Sequence, residues 1–115
     1  MRALACAAIV VVAAACGGSD GPTTATSNNK AFDVFANAVF SPNFLQISQG
    51  DTVRFNIVPG PDGDGHDVTF RATPGAPANI KVTLNGIIPR VFTAKGNFHY
   101  DCFVHPGMSG DIVVQ

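Results

Sequence analysis

From residue 31 to residue 115 the chain is a succession of short apolar runs. Each is cut off by Gly, Pro, Asn or Asp, a rhythm that favours short strands over helices. Residues 52–58 show it most cleanly. Val53, Phe55 and Ile57 fall on one face and Thr52, Arg54 and Asn56 on the other, the period of a half-buried strand. Phe32, Val34 and Ala36 alternate in the same way. Val39-Phe40 runs into Ser41-Pro42-Asn43, and Phe44, Leu45 and Ile47 run into Ser48-Gln49-Gly50-Asp51; both stops have turn chemistry. A loop dense in Gly, Pro and Asp fills residues 59–65. Residues 66–70 then predict a strand with Val68 and Phe70 on one face. Residues 71–79, with Pro74, Gly75 and Pro77, form a long connection. Ile80, Val82 and Leu84 predict a further strand, Asn85-Gly86 a turn, and residues 87–92 the strand after it. Past Ala94-Lys95-Gly96, Phe98, Tyr100 and Cys102 point one way and Asn97, His99 and Asp101 the other; residues 111–115 close the domain. Val, Ile, Thr and Phe are plentiful, while Glu and Trp are absent. Seven or eight short strands in about 85 residues predict an all-β fold, a Greek-key β-sandwich. The 115 residues suffice for one such domain.

The first residues read differently. Met1-Arg2 is a short positive start, and residues 3–15 are almost wholly apolar. That run is shorter than the roughly 18–20 residues of a membrane span and fits the core of a signal peptide. It ends in Ala13-Ala14-Ala15-Cys16-Gly17-Gly18, which resembles the lipobox of bacterial lipoproteins. Ala13 stands where Leu is preferred. The resemblance implies cleavage before Cys16 and acylation of that cysteine. The chain then divides into a signal peptide (1–15), a tether (16–30) and a folded domain (31–115). The tether is Gly, Ser, Thr and Asn with nothing to bury, so it is expected to be flexible. About 13 such residues span roughly 20 Å, which holds the domain close to a membrane through lipid alone. This places the protein outside the cytoplasm, in the periplasm or at the cell surface.

Charge excludes other partners. The formal net charge is −1, and the basic residues are scattered. No patch exists to hold nucleic acid. A monomer is expected.

Cysteine usage narrows the chemistry. Cys6 leaves with the signal peptide, Cys16 takes the lipid, and Cys102 remains without a disulfide partner in an oxidising compartment. It is then a buried thiol, an intermolecular crosslink or a metal ligand. Its neighbours favour the last. Cys102, His105 and Met108 are spaced three apart around the Pro106-Gly107 bend. Thiolate, imidazole and thioether form a soft donor set suited to copper, and His66, at the start of another strand, completes it. Zinc is the rival metal for a Cys/His₂ set; the thioether of Met108 favours copper. His99 reads as solvated. Tyr100 reads as a core ring whose hydroxyl bonds to nearby backbone, like a tyrosine corner. Asp62-Gly63-Asp64 lacks the other ligands of a calcium loop and reads as a solvated turn.

Three segments together resemble the small blue copper proteins, cupredoxins of the plastocyanin/amicyanin type. They are residues 97–110, residues 65–70, and residues 40–55 with the turn before the third strand. The resemblance spans about residues 32–115. It implies one copper ion held strongly by His66, Cys102 and His105 and weakly by Met108, cycling between Cu(II) and Cu(I). It implies a one-electron carrier serving redox partner proteins, and no enzyme. A copper-handling role, buffering or delivery on the same fold, is the alternative, and the loop before His66 is compatible with it. The short His105-to-Met108 spacing is the amicyanin-like version. Asp67 stands where the family often has Asn. A carboxylate there can accept backbone N–H bonds beside Cys102, and it lowers the expected reduction potential. Gly65 precedes His66 as in azurin-like proteins, where the glycine carbonyl approaches the metal.

Overall fold

A computed structural model describes residues 29–115; the expected signal peptide, Cys16 and most of the expected tether lie outside the described residues. Nine strands form among the described residues. They are β1 (Ala31–Asn37), β2 (Val39–Ser41), β3 (Phe44–Ile47), β4 (Thr52–Ile57), β5 (His66–Phe70), β6 (Ile80–Thr83), β7 (Gly86–Val91), β8 (Gly96–Asp101) and β9 (Ser109–Val114). One sheet has the order β2-β1-β4-β7 and the other β3-β9-β8-β5-β6. Two neighbours are parallel, β1 with β4 and β3 with β9; the remaining pairs are antiparallel.

Alternation drives the layering. Val34, Ala36, Val53, Phe55 and Ile57 from one sheet and Val68, Phe70, Phe98, Tyr100 and Ile112 from the other meet in one buried cluster. Edge-to-face aromatic pairs run through it, among them Phe40–Tyr100 at 4.8 Å and Phe55–Tyr100 at 5.5 Å between ring centroids. Lys30 is already tied to the domain, its N–H donating to Asp51 Oδ1 at 2.9 Å. Asp51 also accepts the Ser48 N–H at 2.8 Å and so closes the expected turn before β4.

The structure departs from the seven or eight expected strands in one place and from their boundaries in others. Ala38 takes a left-handed backbone (φ 60°), which lets residues 39–41 fold back on β1 as a separate short strand. Leu84 leaves β6, and both Leu84 and Val82 are exposed, so only Ile80 of that apolar triplet reaches the core. β6 is an edge strand, and the register of its pairing shifts between His66 and Val68. Nor does Asn85-Gly86 close a hairpin. β6 and β7 belong to different sheets, so Leu84 and Asn85 cross between layers.

Candidate metal centre

One end of the sandwich gathers His66, Cys102, His105 and Met108. His66 opens β5 and is fully buried. The inward alternation of Phe98 and Tyr100 along β8 carries on to Cys102, one residue past its end, so the thiol also points inward and is buried. His105 and Met108 lie in the loop from β8 to β9. Asp101 and Ser109 are register partners, so the ladder grips both ends of that loop. Inside it, the Cys102 N–H donates to the Met108 carbonyl at 2.9 Å, and the Met108 N–H donates to the His105 carbonyl at 3.1 Å. Gly107, at φ 86°, takes the left-handed corner that glycine adopts without strain. The strapped loop leaves its side chains little freedom.

The donor atoms converge. His66 Nδ1 and His105 Nδ1 each lie 3.9 Å from Cys102 Sγ, and the three donors are within 4.8 Å of one another. One thiol proton cannot serve two nitrogens at once. With metal–nitrogen bonds of about 2.0 Å and a metal–sulfur bond of about 2.3 Å, trigonal coordination sets sulfur and nitrogen about 3.8 Å apart. The residues therefore fit one metal ion. The two imidazole rings lie 4.7 Å apart with a 39° tilt. Burial pushes the His66 pKa below its ordinary 6.5, and the positive charge of a protonated His105 adds to the shift. Both favour the neutral imidazole that a metal binds. Met108 is buried in the same loop and brings the thioether that distinguishes a copper set from a zinc set.

The surroundings hold the ligands. Asp67 is buried and accepts the Phe103 N–H at 2.8 Å and the Val104 N–H at 3.3 Å, both on Oδ1. Thr69 donates its hydroxyl to Asp67 Oδ2 at 2.8 Å. Hydrogen bonds to a charged acceptor contribute about 1.5–3 kcal/mol each. Gly65 abuts β6: a Cβ there would lie 2.6 Å from the Thr83 carbonyl oxygen, so packing alone requires glycine. Gly60 is buried against the site, and a Cβ on it would stand 3.6 Å from both His105 Nε2 and His66 Cε1. The loop around it is closed by the Gly60 N–H to the Asp64 carbonyl and the Gly63 N–H to the Gly60 carbonyl, each at 2.9 Å. Around His105 the surface is Phe103, Pro106 and Gly107, all exposed, with Phe103 72% accessible.

Two expectations near the site need correcting. The Tyr100 hydroxyl is buried with no hydrogen-bond partner, because Phe40, Phe55 and Phe70 pack around the ring and Gly110 opens the space that its tip fills. His99 is not merely solvated. Its Nδ1 lies 2.7 Å from Asp111 Oδ1 and its Nε2 3.2 Å from Asp101 Oδ1, partners that the β8–β9 register brings alongside it. Sequence reasoning missed Thr69 and Gly60. Thr69 sits two residues after Asp67 on one strand face, a signal that was available. Nothing local marks Gly60, which reaches the histidines only through the fold of its loop.

No family model matches the chain, and no curated protein matches it. Solved structures do. A reduced Cu(I) form of an amicyanin variant aligns at 29% identity with a TM-score of 0.59, over 74% of this chain and 82% of that one. Pseudoazurin from Sinorhizobium meliloti aligns at 27% identity and TM-score 0.59, over 75% of this chain and 74% of that one. Pseudoazurin from Methylobacterium extorquens AM1 aligns at 25% identity and TM-score 0.58, over 73% and 74%. The fold is a cupredoxin fold. With the convergent donor set, these matches bear out the resemblance to small blue copper proteins and to a centre for one copper ion.

Proposed function

We propose that this protein is a one-electron carrier outside the cytoplasm, tethered to a membrane by lipid on Cys16. In this reading His66, Cys102 and His105 hold one copper ion strongly and Met108 holds it weakly. Residues 1–15 are removed, 16–30 form the tether, and 31–115 are the working domain. Copper, when bound, supplies a one-electron couple between Cu(II) and Cu(I). The chain supplies the rest. The start of β5 and the gripped loop keep two Nδ1 atoms and one thiolate in fixed relation while the charge changes. The core behind Cys102 excludes water. The partly exposed ring of His105, among Phe103, Pro106 and Gly107, offers partner proteins a small apolar face for brief contact. All proposed ligands are side chains of this chain, and no enzymatic step is assigned.

The convergence of both Nδ1 atoms on Cys102 Sγ, behind a closed loop, carries this reading over copper handling. Adding Cu(II) to the purified protein tests it. An intense visible thiolate-to-copper band and a reversible one-electron wave are expected, and Cys102→Ser should abolish the band. Colourless, readily exchanged Cu(I) would support buffering or delivery instead. Failure to bind copper would overturn both.

A further inference from the structure

Asp67 is 6% exposed, and among the described residues no ion pair includes it. Its three partners are the Phe103 N–H, the Val104 N–H and the Thr69 hydroxyl. Each donates, the pattern an ionised carboxylate requires. Asp67 directly follows His66, and two of its partners directly follow Cys102, so one carboxylate joins the two ligand segments. An amide could make the same loop bonds through its oxygen. The carboxylate adds a full negative charge at a buried position beside an open pocket that Lys81 also lines, where charges are screened less than in bulk water. The bound ion carries one more positive charge as Cu(II) than as Cu(I), so that negative charge stabilises the oxidised form more.

We propose that Asp67, oriented by Thr69, is a positioning residue with two effects. It latches the ligand loop to β5 before any metal arrives, and it biases bound copper toward Cu(II). The carrier is thereby a stronger reductant than it would be with a neutral side chain at this position. The donor that recharges it must be a correspondingly stronger reductant. The step itself passes one electron, with no bond made or broken. The second effect rests on the electron-carrier reading; the first does not.

Two variants separate the effects. Asp67→Asn removes the charge and keeps an acceptor oxygen for Phe103 and Val104; Asp67→Ala removes both. Voltammetry of the copper-loaded protein should show the Cu(II)/Cu(I) balance of Asp67→Asn shifted at least tenfold toward Cu(I), a rise of about 59 mV. An unchanged or lower potential would overturn the charge effect. In the metal-free protein, exchange of the Phe103 amide should stay slow in Asp67→Asn and quicken at least tenfold in Asp67→Ala. Equal exchange in wild type and Asp67→Ala would overturn the latch. If the wild-type protein gives no reversible wave, the carrier reading has failed, and amide exchange in the metal-free protein still decides the latch.

Discussion

Replacing Tyr100 by Phe should stabilise the domain, because the hydroxyl it removes has no hydrogen-bond partner. The ring is fully buried and keeps its edge contacts with Phe40 and Phe55 in either variant. Leaving a hydroxyl buried and unpaired costs about 1–3 kcal/mol relative to water. A void of roughly 12 Å³ in its place costs about 0.3 kcal/mol. The net gain at neutral pH is about 0.7–2.7 kcal/mol, each kcal/mol being about 4–8 °C in Tm for a domain of this size. Alkaline pH enlarges the difference. Burial, and then the charge of Asp111, raise the Tyr100 pKa above its ordinary 10.0. The unfolded chain therefore gives up its phenolic proton near pH 10 while the folded domain keeps it. The stability linked to Tyr100 is complete below that pH and lost above it, by about 1.4 kcal/mol at pH 11. Tyr100→Phe has no such loss, so its advantage should widen by about 1.4 kcal/mol at pH 11. Urea unfolding of the metal-free protein at both pH values measures this. The chain has one Tyr and no Trp, so tyrosinate absorbance reports Tyr100 alone. A variant less stable than wild type at neutral pH would refute the reasoning, as would tyrosinate forming near pH 10 in the folded protein.

Gly65→Ala drives a methyl group into the Thr83 carbonyl and should cost about 1–3 kcal/mol, while Gly63→Ala, open but at φ 77°, should cost about 1 kcal/mol. Equal costs by urea unfolding would contradict the packing account of Gly65. The lowered pKa of His66 gives the metal-free protein an acid limit. The unfolded chain takes up a proton near pH 6.5 that buried His66 refuses, so stability is full above that pH and falls below it. Thermal melts from pH 7.5 to 5 should show the decline, and His66→Asn should flatten it.

Much of this was legible because it is local. Period-two alternation placed Val53, Phe55 and Ile57 inward, and the turn chemistry of residues 48–51 ended β3. The Cys102–His105–Met108 spacing survives in the sequence because one loop carries it. What stayed hidden depends on partners far along the chain. The Ile80/Val82/Leu84 alternation reads as a half-buried strand, yet an edge position and a shifted register leave only Ile80 inside. The fate of the Tyr100 hydroxyl turns on Phe40, Phe55, Phe70 and Gly110, four residues from four segments. His99 gains Asp111 only through the β8–β9 register.

The place of β9 sets the order of events in the protein's assembly. This last strand lies between β3 and β8, and the Gln115 N–H donates to the Ile47 carbonyl at 2.9 Å. Three of the four donor side chains sit in the turn that leads into it. A chain that has yet to add β9 therefore has β5, β6 and β8 but no strand to join β3 to them, and its ligand loop lacks the β8–β9 ladder that grips both ends. Pairings so distant in sequence form slowly. Metal capture then belongs to the finished sandwich, where a bare ion meets a nest already built.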